Sequence, residues 1–301
     1  MGLRPRPGDT AGPNAVELTC EQVWFLTDRL GTGSVPWVLA VTQPYSQPAE
    51  RAAFDAEQVA GLTALGVLAV DGSVNPVVAP WITTICQPQQ WLELRWVSGT
   101  GMLLRGLLAR RGAHTVIALR NGALMTCTEL QLTHPEALIP SLTAGLSGRS
   151  PAKFAEFTLP AHVGARADEQ LRQGVPLQEV LDELGIPDAV HRVIQAAYAS
   201  DRRYVEIVAG AHRDGHRVST QVGLSVVDTS AGRILVRPVQ RPGTDNWISV
   251  FSPGTPTAIA IAIQELTAQL PDGAWFPDVS LTRDFNQYTI GAKDNVLQHI
   301  R

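Results

Sequence analysis

Serine and histidine are the residue types in this chain whose surroundings could support nucleophilic chemistry or metal binding. Ser225 lies in the string Gly223-Leu-Ser-Val-Val, which lacks the second glycine of a nucleophile elbow and falls inside a predicted strand. His212 and His216 flank an Asp-Gly turn, and no neighbouring cysteine or second histidine pair completes a metal site. We therefore expect Ser225 to be an ordinary strand serine and both histidines to be solvated at a hairpin tip.

Two glycine-rich strings could be mistaken for phosphate-binding loops. The string Ser98-Gly99-Thr100-Gly101 and the string GTGS at 31–34 have neither the spacing nor the trailing lysine of such a loop. The carboxylate pairs at 168–169 and 182–183 fall on predicted helices, where solvated faces are the usual reason for them. The sequence therefore predicts no catalytic residue, no metal site and no cofactor.

The composition narrows the class of protein further. The chain has 301 residues, of which 45% are hydrophobic, which is enough for a large core in one or two domains. A net charge of -4 does not favour a nucleic-acid partner. Three widely spaced cysteines in apolar surroundings are typical of reduced, structural thiols, and the N-terminus has no apolar signal segment. Because the most apolar predicted helix, 258–268, is too short to cross a bilayer, we expect a cytoplasmic protein without membrane insertion.

The elements that would position a site follow one pattern twice. Residues 91–146 and residues 204–270 each read as four strands followed by a helix, and the pair Asn121-Gly122 predicts a hairpin turn in the first run. The pattern predicts two structurally repeated halves, 14–148 and 157–277, related by a quasi-two-fold axis, with flexible tails at 1–13 and 278–301. It also favours a functional surface made by two joined sheets over a catalytic cleft.

One face of the second run is polar and built from small side chains. If residues 218–226 form one strand, alternation places four residues on the same face, with Glu206 of the neighbouring strand beside them. These four are Ser219, Gln221, Gly223 and Ser225. Such a face is flat, so it fits either a solvated surface or a docking surface that another element can approach closely.

Several long strings resemble the EspG family, the cytosolic chaperones of mycobacterial type VII (ESX) secretion. They are NAVELT at 14–19, PWVLAVTQPYS at 36–46, LPAHVGARADEQLRQGVPL at 159–177, YVEIVAG at 204–210, VGLSVVDTSAGRILV at 222–236, FSPGTPTAIAIAIQ at 251–264 and LPDGAWFP at 270–277. The resemblance covers roughly residues 14–277, and it is strongest to the member that serves the third ESX system.

The resemblance implies an α+β fold with a central antiparallel sheet, two helical bundles and quasi-two-fold symmetry. It implies binding without catalysis: the partner is a PE–PPE heterodimer, recognised at the apolar tip of its PPE subunit, kept soluble and delivered to its secretion system. It further implies contacts from the sheet face, the C-terminal bundle and the loop between the first two long strands. That loop is Ser98, Gly99, Thr100 and Gly101 here, and it is shorter than in some members.

The sequence leaves two classes of function open. One is an ATP-independent export chaperone, whose partner-binding residues we expect to be the small polar face, Glu206 and the loop. The other is a hydrolase or small-molecule-binding protein with a pocket between the two halves. The sequence also leaves open a weak homodimer and the identity of the PE–PPE pair.

Overall fold

The computed structural model describes residues 14–99, 101, 103–183, 185–186, 188–199, 201–240 and 247–279. The predicted tail 1–13 and all but the first two residues of the predicted tail 278–301 lie outside the described residues. Within this part the strands are β1 (Ala15–Thr19), β2 (Gln90–Ser98), β3 (Leu103–Arg111), β4 (His114–Asn121), β5 (Leu124–Glu129), β6 (Phe157–Pro160), β7 (Arg203–Arg213), β8 (His216–Ser219), β9 (Leu224–Thr229), β10 (Gly232–Gln240) and β11 (Trp247–Pro253). The helices are α1 (Cys20–Leu30), α2 (Arg51–Ala64), α3 (Val78–Cys86), α4 (Ile139–Leu142), α5 (Ala161–Arg172), α6 (Leu177–Glu183), α7 (Asp188–Tyr198) and α8 (Pro256–Thr267). Short 3-10 turns at Trp37–Leu39, Pro48–Glu50 and Pro135–Leu138 complete the described part.

All of these strands belong to one antiparallel sheet. Its order is β1-β5-β4-β3-β2-β7-β9-β10-β11-β6, and β8 pairs with the far end of β7. The two central strands, β2 and β7, pair along their length from Gln90 opposite Ala211 to Ser98 opposite Arg203. The predicted α+β class with a large central antiparallel sheet is therefore confirmed.

Local sequence signals fix where the helices that flank the sheet begin. Thr19 caps α1 in a reciprocal capping box with Gln22, and the helix ends at Gly31, whose φ of 63° is left-handed. Thr255 accepts the backbone N–H of Ala258 at 3.1 Å, so it caps α8 as its sequence position predicts.

One face of the sheet, here called the closed face, is buried across both halves of the chain. Alternate residues of β2, β7 and β9, such as Leu94, Ile207 and Leu224, share a single apolar core with Ile259 and Ile263 of α8. The indole N–H of Trp96 donates to the carbonyl of Leu142 at 3.0 Å, which fixes α4 over the same core. Because this core crosses the β2–β7 junction, it joins the strands on the two sides of that junction.

The opposite face, here called the divided face, is covered in two separate places. Helices α1 and α3 bury the side of β3, β4 and β5, with Trp81, Leu107 and Met125 in that core. Helix α7 buries the side of β9 and β10 through Val193, next to Ile234. Between these two covers, parts of β2, β7 and the start of β9 remain accessible.

The predicted continuous strand over 218–226 is wrong, because its pairing with β7 is interrupted between Ser219 and Leu224, although the N–H of Thr220 still donates to the carbonyl of Ala209 at 2.9 Å. The ladder between β9 and β10 ends at Ser225 opposite Val236, although β10 continues to Gln240. Continuing that register would place Gly223 opposite Pro238, which has no N–H to donate. Proline at this position therefore explains why β9 does not extend backwards into β8.

The segment that links the two predicted halves is bound tightly to the start of β10. The N–H of Arg233 donates to the carbonyl of Ser150 at 2.7 Å, and the N–H of Ala152 donates to the carbonyl of Arg233 at 2.9 Å. The N–H of Arg149 also donates to Asp228 Oδ2 at 3.1 Å. A Cβ at Gly232 would lie 2.8 Å from the Ala152 backbone, so only glycine permits this close approach.

Candidate functional site

The accessible part of the divided face forms a band that we call the open strip. It runs along β2 and β7 between the two helical covers. Its members share the divided face and are at least partly exposed: Glu93, Arg95, Val97, Leu103, Arg105, Tyr204, Glu206, Val208, Ser219 and Ser225. The strip is the part of the divided face, between the two helical covers, where side chains of the central strands meet solvent.

The open strip is ordered in rows that cross the strands. One row is apolar: Val97 lies opposite Leu103 of β3 and opposite Tyr204 of β7. The next row is charged: Arg95 lies opposite Arg105 on one side and Glu206 on the other. A partner that covers the strip would therefore meet apolar surface beside charge, as in the core and rim of protein interfaces.

The predicted small polar face is partly assembled. Glu206 lies directly opposite Ser225, so these two predicted residues are neighbours on the open strip. Ser219 lies opposite Gly210 on the same face, further along β7. Gln221 and Gly223 lie in the break between β8 and β9 and are exposed, so strand alternation does not place them on the strip.

Gly223 has a structural role that the sequence pattern did not indicate. A Cβ there would lie 2.7 Å from the carbonyl oxygen of Ile207, which is backbone and cannot move aside cheaply. A similar constraint holds at Gly210, where a Cβ would lie 2.3 Å from ring atoms of Trp91. Neither glycine can be replaced as a neutral probe of binding.

Sequence alternation missed a charge network on β2 that belongs to the open strip. Arg95 Nη2 lies 3.2 Å from Glu93 Oε2, and Arg217 of β8 reaches the other oxygen of Glu93 at 3.7 Å. The Arg217 guanidinium also stacks 4.6 Å from the centre of the Trp91 ring. The alternating string Trp91-Leu-Glu-Leu-Arg-Trp-Val signals this face, but only the β2–β7 pairing shows that it continues the Glu206 face.

The N-terminal wall of the open strip is held by two arginines. Arg105 donates to the carbonyl of Val38 at 3.4 Å, and Arg120 donates to the carbonyl of Leu39 at 2.7 Å. These bonds fix the 3-10 turn, which ends at Ala40 with a left-handed φ of 49°. Trp37 opens this turn and is 87% exposed, so the wall presents a large apolar side chain to solvent.

The opposite wall is the end of α7. Arg202 lies 5.6 Å from the ring centre of Tyr204 and 5.7 Å from that of Tyr198. It also donates to the carbonyl of Tyr198 at 2.9 Å, which anchors the start of β7 to the helix. The cation therefore fixes Tyr204 at the edge of the strip.

The predicted loop is a tight turn at one end of the open strip. Ser98 is the last residue of β2, opposite Arg203, and its carbonyl accepts the N–H of Gly101 at 2.9 Å. Gly99 and Gly101 are exposed, and Thr100 lies outside the described residues. The described residues of the loop therefore lie next to the strip.

One of the two histidines differs from its prediction. His212 is half-buried: its ring packs 5.2 Å from Trp91 and its Nδ1 contacts the carbonyl of Pro88. The reason is that β7 continues to Arg213, so of the two histidines only His216 is exposed at the hairpin.

In the described ranges no group of three or more His, Cys, Asp or Glu residues is arranged to hold a metal. No helix found there is long and apolar enough to cross a membrane.

The comparisons with known proteins identify the family to which this α+β fold belongs. A family model described as the EspG family matches residues 19–265. The chain is 56% identical to the ESX-3 secretion-associated protein EspG3 of Mycolicibacterium smegmatis over 95% of this chain and 98% of that protein. It is 51% identical to EspG3 of Mycobacterium tuberculosis (strain CDC 1551 / Oshkosh), over 92% and 98% of the two chains. The chain belongs to the EspG family, as its sequence predicts.

Other relatives share a lower sequence identity with this chain. The ESX-1 secretion-associated protein EspG1 of M. tuberculosis is 31% identical over 91% of this chain and 94% of that protein. Among solved structures, M. tuberculosis EspG5 in complex with the PE25–PPE41 dimer aligns with a TM-score of 0.71. It is 22% identical and covers 87% of this chain and 98% of its own, so it supports the fold. The greater identity to the two EspG3 proteins agrees with the predicted similarity to the third ESX system.

Proposed function

We propose that this protein is a chaperone of type VII (ESX) secretion that binds PE–PPE heterodimers through the PPE subunit and delivers them to the third ESX system. The family membership and the names of its relatives support this proposal. The relatives are described as secretion-associated proteins, and the structural neighbour EspG5 is a secretion chaperone solved with a PE–PPE dimer. These descriptions favour binding over the hydrolase or small-molecule alternative.

The open strip is the surface we propose for docking, and it is the observation that carries the proposal. Its floor offers the Val97–Tyr204 row for apolar contact and the Arg95–Glu206 row for charge recognition. Walls from the N-terminal and C-terminal covers stand on either side, and Trp37 adds exposed apolar area to the first. An apolar tip that is covered by such a surface is protected from aggregation.

We assign the binding residues in two groups. Glu206, Ser219 and Ser225 lie on the open strip, and Glu93 and Arg95 extend it onto β2. The loop Ser98–Gly101 lies at the end of the strip and would contact the edge of the partner. Gln221 and Gly223 lie beside the strip, and Gly223 acts by allowing the chain to pass close to β7.

We also propose that the two halves, 14–148 and 157–277, are structural repeats related by a quasi-two-fold axis between β2 and β7. The strand order supports this proposal. Outward from the junction, one side reads β2, β3, β4, β5 and then β1, and the other reads β7, β9, β10, β11 and then β6. In both halves the last position is taken by the first strand of that half. The open strip would then lie across the axis, with one half supplying each edge.

The proposed location is the cytoplasm, where cargo is held before export. The proposal includes no ATP-driven step, so cargo release would depend on competition by the secretion machinery. Weak self-association of the free protein is a separate proposal. It would be tested by sedimentation of the protein alone, where a single monomeric species at all concentrations would contradict it.

Size-exclusion chromatography with light scattering tests the proposed function. The protein is mixed with a PE–PPE pair encoded with the third ESX system of the same bacterium. The expected result is a single peak with the mass of a 1:1:1 complex at micromolar concentration. Separate elution of protein and pair would contradict the function. A pair from another ESX system serves as the control and should bind much more weakly, because specificity is a difference between affinities.

A further inference from the structure

A cavity away from the open strip has an unusual charge. Its volume is ≈ 680 Å³, and it lies where the linker between the halves meets α7 and the β9–β10 turn. The linker 147–153 forms one side, Arg192 and Val193 of α7 form another, and the turn 230–232 closes it. We propose that this cavity binds a small, multiply charged phosphate-bearing anion.

The first observation is where the unpaired cations lie. Among the cationic side chains that the structure describes, four have no hydrogen bond, ion pair or ring contact: Arg149, Lys153, Arg192 and Arg203. Three of these four line the cavity, and none of the aspartates or glutamates that the structure describes lines it. The other described cations, in contrast, are partnered, as Arg233 is with Asp228 at 2.7 Å. Three like charges repel one another, so a negatively charged ligand would stabilise this arrangement.

The second observation is that the backbone around these cations is fixed. The carbonyl of Ser150 and the N–H of Ala152 are both bonded to Arg233, and Gly232 allows this contact. Asp228 does not neutralise the cavity, because it is fully buried and already accepts hydrogen bonds from Arg233 and from the Arg149 backbone. The cations on the linker are therefore held near α7 without an acidic partner.

The chemistry of the lining indicates the class of ligand. Two guanidinium groups can each bind two oxygens of a phosphate or carboxylate, and the ammonium of Lys153 adds a compact charge. Ser150 and Ser230 contribute hydroxyl groups to the same lining. The cavity volume lies within the range of small-molecule sites, which is larger than a single phosphate needs. A di- or triphosphate group matches both the charge and the size.

Titration calorimetry at low ionic strength with sodium triphosphate tests the assignment on the full-length protein. We expect one binding site, and we expect Arg192→Gln and Lys153→Gln each to weaken binding about tenfold or more. Arg213→Gln is the matched control, because this exposed arginine pairs only with Asp214 and does not line the cavity. Citrate is the second ligand: equal binding would widen the class to carboxylates and overturn the phosphate assignment.

A labelling experiment reports on the site itself. Lys153 and Lys293 are the two lysines of the sequence, so an amine-reactive reagent followed by mass spectrometry reads each separately. Triphosphate should slow the labelling of Lys153 several-fold and leave Lys293 unchanged. Equal protection of both lysines would overturn the proposal. In the calorimetry, three results would also overturn it: no heat with the wild-type protein, an equal loss of affinity in Arg213→Gln, or tighter binding of a short poly-glutamate peptide. None of these outcomes bears on PE–PPE binding, because this inference does not depend on the proposed function.

Discussion

The closed face and the divided face of the sheet are built from the same strands, often from adjacent residues, yet they serve different ends. On the closed face, Leu224 and Ile207 lie in one apolar core that crosses the β2–β7 junction. One residue further along the chain, Ser225 points to the opposite side and lies partly exposed beside Glu206. The comparison shows that the continuous core joins both sides of the β2–β7 junction, which leaves the centre of the other face accessible.

The largest expected effect on stability comes from placing an aspartate on each of the two faces in turn. Leu224→Asp puts a carboxylate into the closed-face core, where Leu224 is 2% exposed. We expect a loss of more than about 4 kcal/mol in the free energy of unfolding, because the buried charge has no partner. Ser225→Asp is the matched control; it is partly exposed but lies opposite Glu206, so it should cost no more than about 1 kcal/mol. Thermal melts followed by circular dichroism give both values, and equal losses would show that the two faces do not differ.

The next largest effect on stability should come from breaking the buried ion pair between Asp228 and Arg233. Asp228 and Arg233 are cross-strand neighbours whose side chains are 0% and 11% exposed, and Arg233 Nε lies 2.7 Å from Asp228 Oδ1. Asp228→Asn leaves the guanidinium uncompensated and frees the linker, so we expect a loss of about 3–5 kcal/mol. Urea unfolding measures it. Arg237→Gln, which breaks the more exposed pair with Glu265, should cost no more than about 1 kcal/mol; a similar cost for both would contradict the role of burial.

A smaller effect on stability should come from substituting the glycines that pack closely against the divided face. Gly223→Ala should destabilise the protein by about 1–3 kcal/mol, since its Cβ would meet the Ile207 carbonyl. Gly210→Ala should behave similarly against Trp91. Gly164→Ala in α5 meets no atom within 4 Å and should be neutral or stabilising by up to about 1 kcal/mol. If Gly223→Ala is as stable as Gly164→Ala, Gly223 has no packing role.

The smallest expected effect is a pH dependence of stability, which reports whether water reaches the core beneath α1 and α3. Burial raises the pKa of the Cys127 thiol to about 12 and that of Cys86 to about 11. A raised pKa keeps the folded thiol protonated, so its contribution is intact below about pH 8.5 and is lost as the unfolded thiol ionises above that pH. Between pH 8 and pH 10 the wild-type protein should lose about 1–2 kcal/mol that Cys127→Ala does not lose. Urea midpoints at both pH values measure this, and equal losses would mean that Cys127 is accessible to water.

Local signals in the sequence predicted most of the fold. The Asn121-Gly122 pair does form a hairpin turn, with Gly122 at a φ of 62°, and Thr255 does cap α8. The strand break at 220–223 was missed because its cause, Pro238, lies in another strand and acts only through the register between strands. The role of Glu93 and Arg95 was missed for the same reason: alternation gives the face of a residue within its own strand, and only the β2–β7 pairing joins two such faces.

The central claim is that the open strip is the docking surface, and titration calorimetry with a cognate PE–PPE pair tests it most directly. Ser225→Arg puts a bulky, charged side chain on the strip, and Glu206→Arg places a second cation opposite Arg95, both where the apolar tip would be buried, so binding should weaken by about a hundredfold or more. Thr63→Arg, on an exposed position of α2, is the control and should bind like wild type. Circular dichroism should show that all three variants are folded. If both strip variants bind the pair as tightly as the wild-type protein does, the docking surface lies elsewhere and the account is wrong.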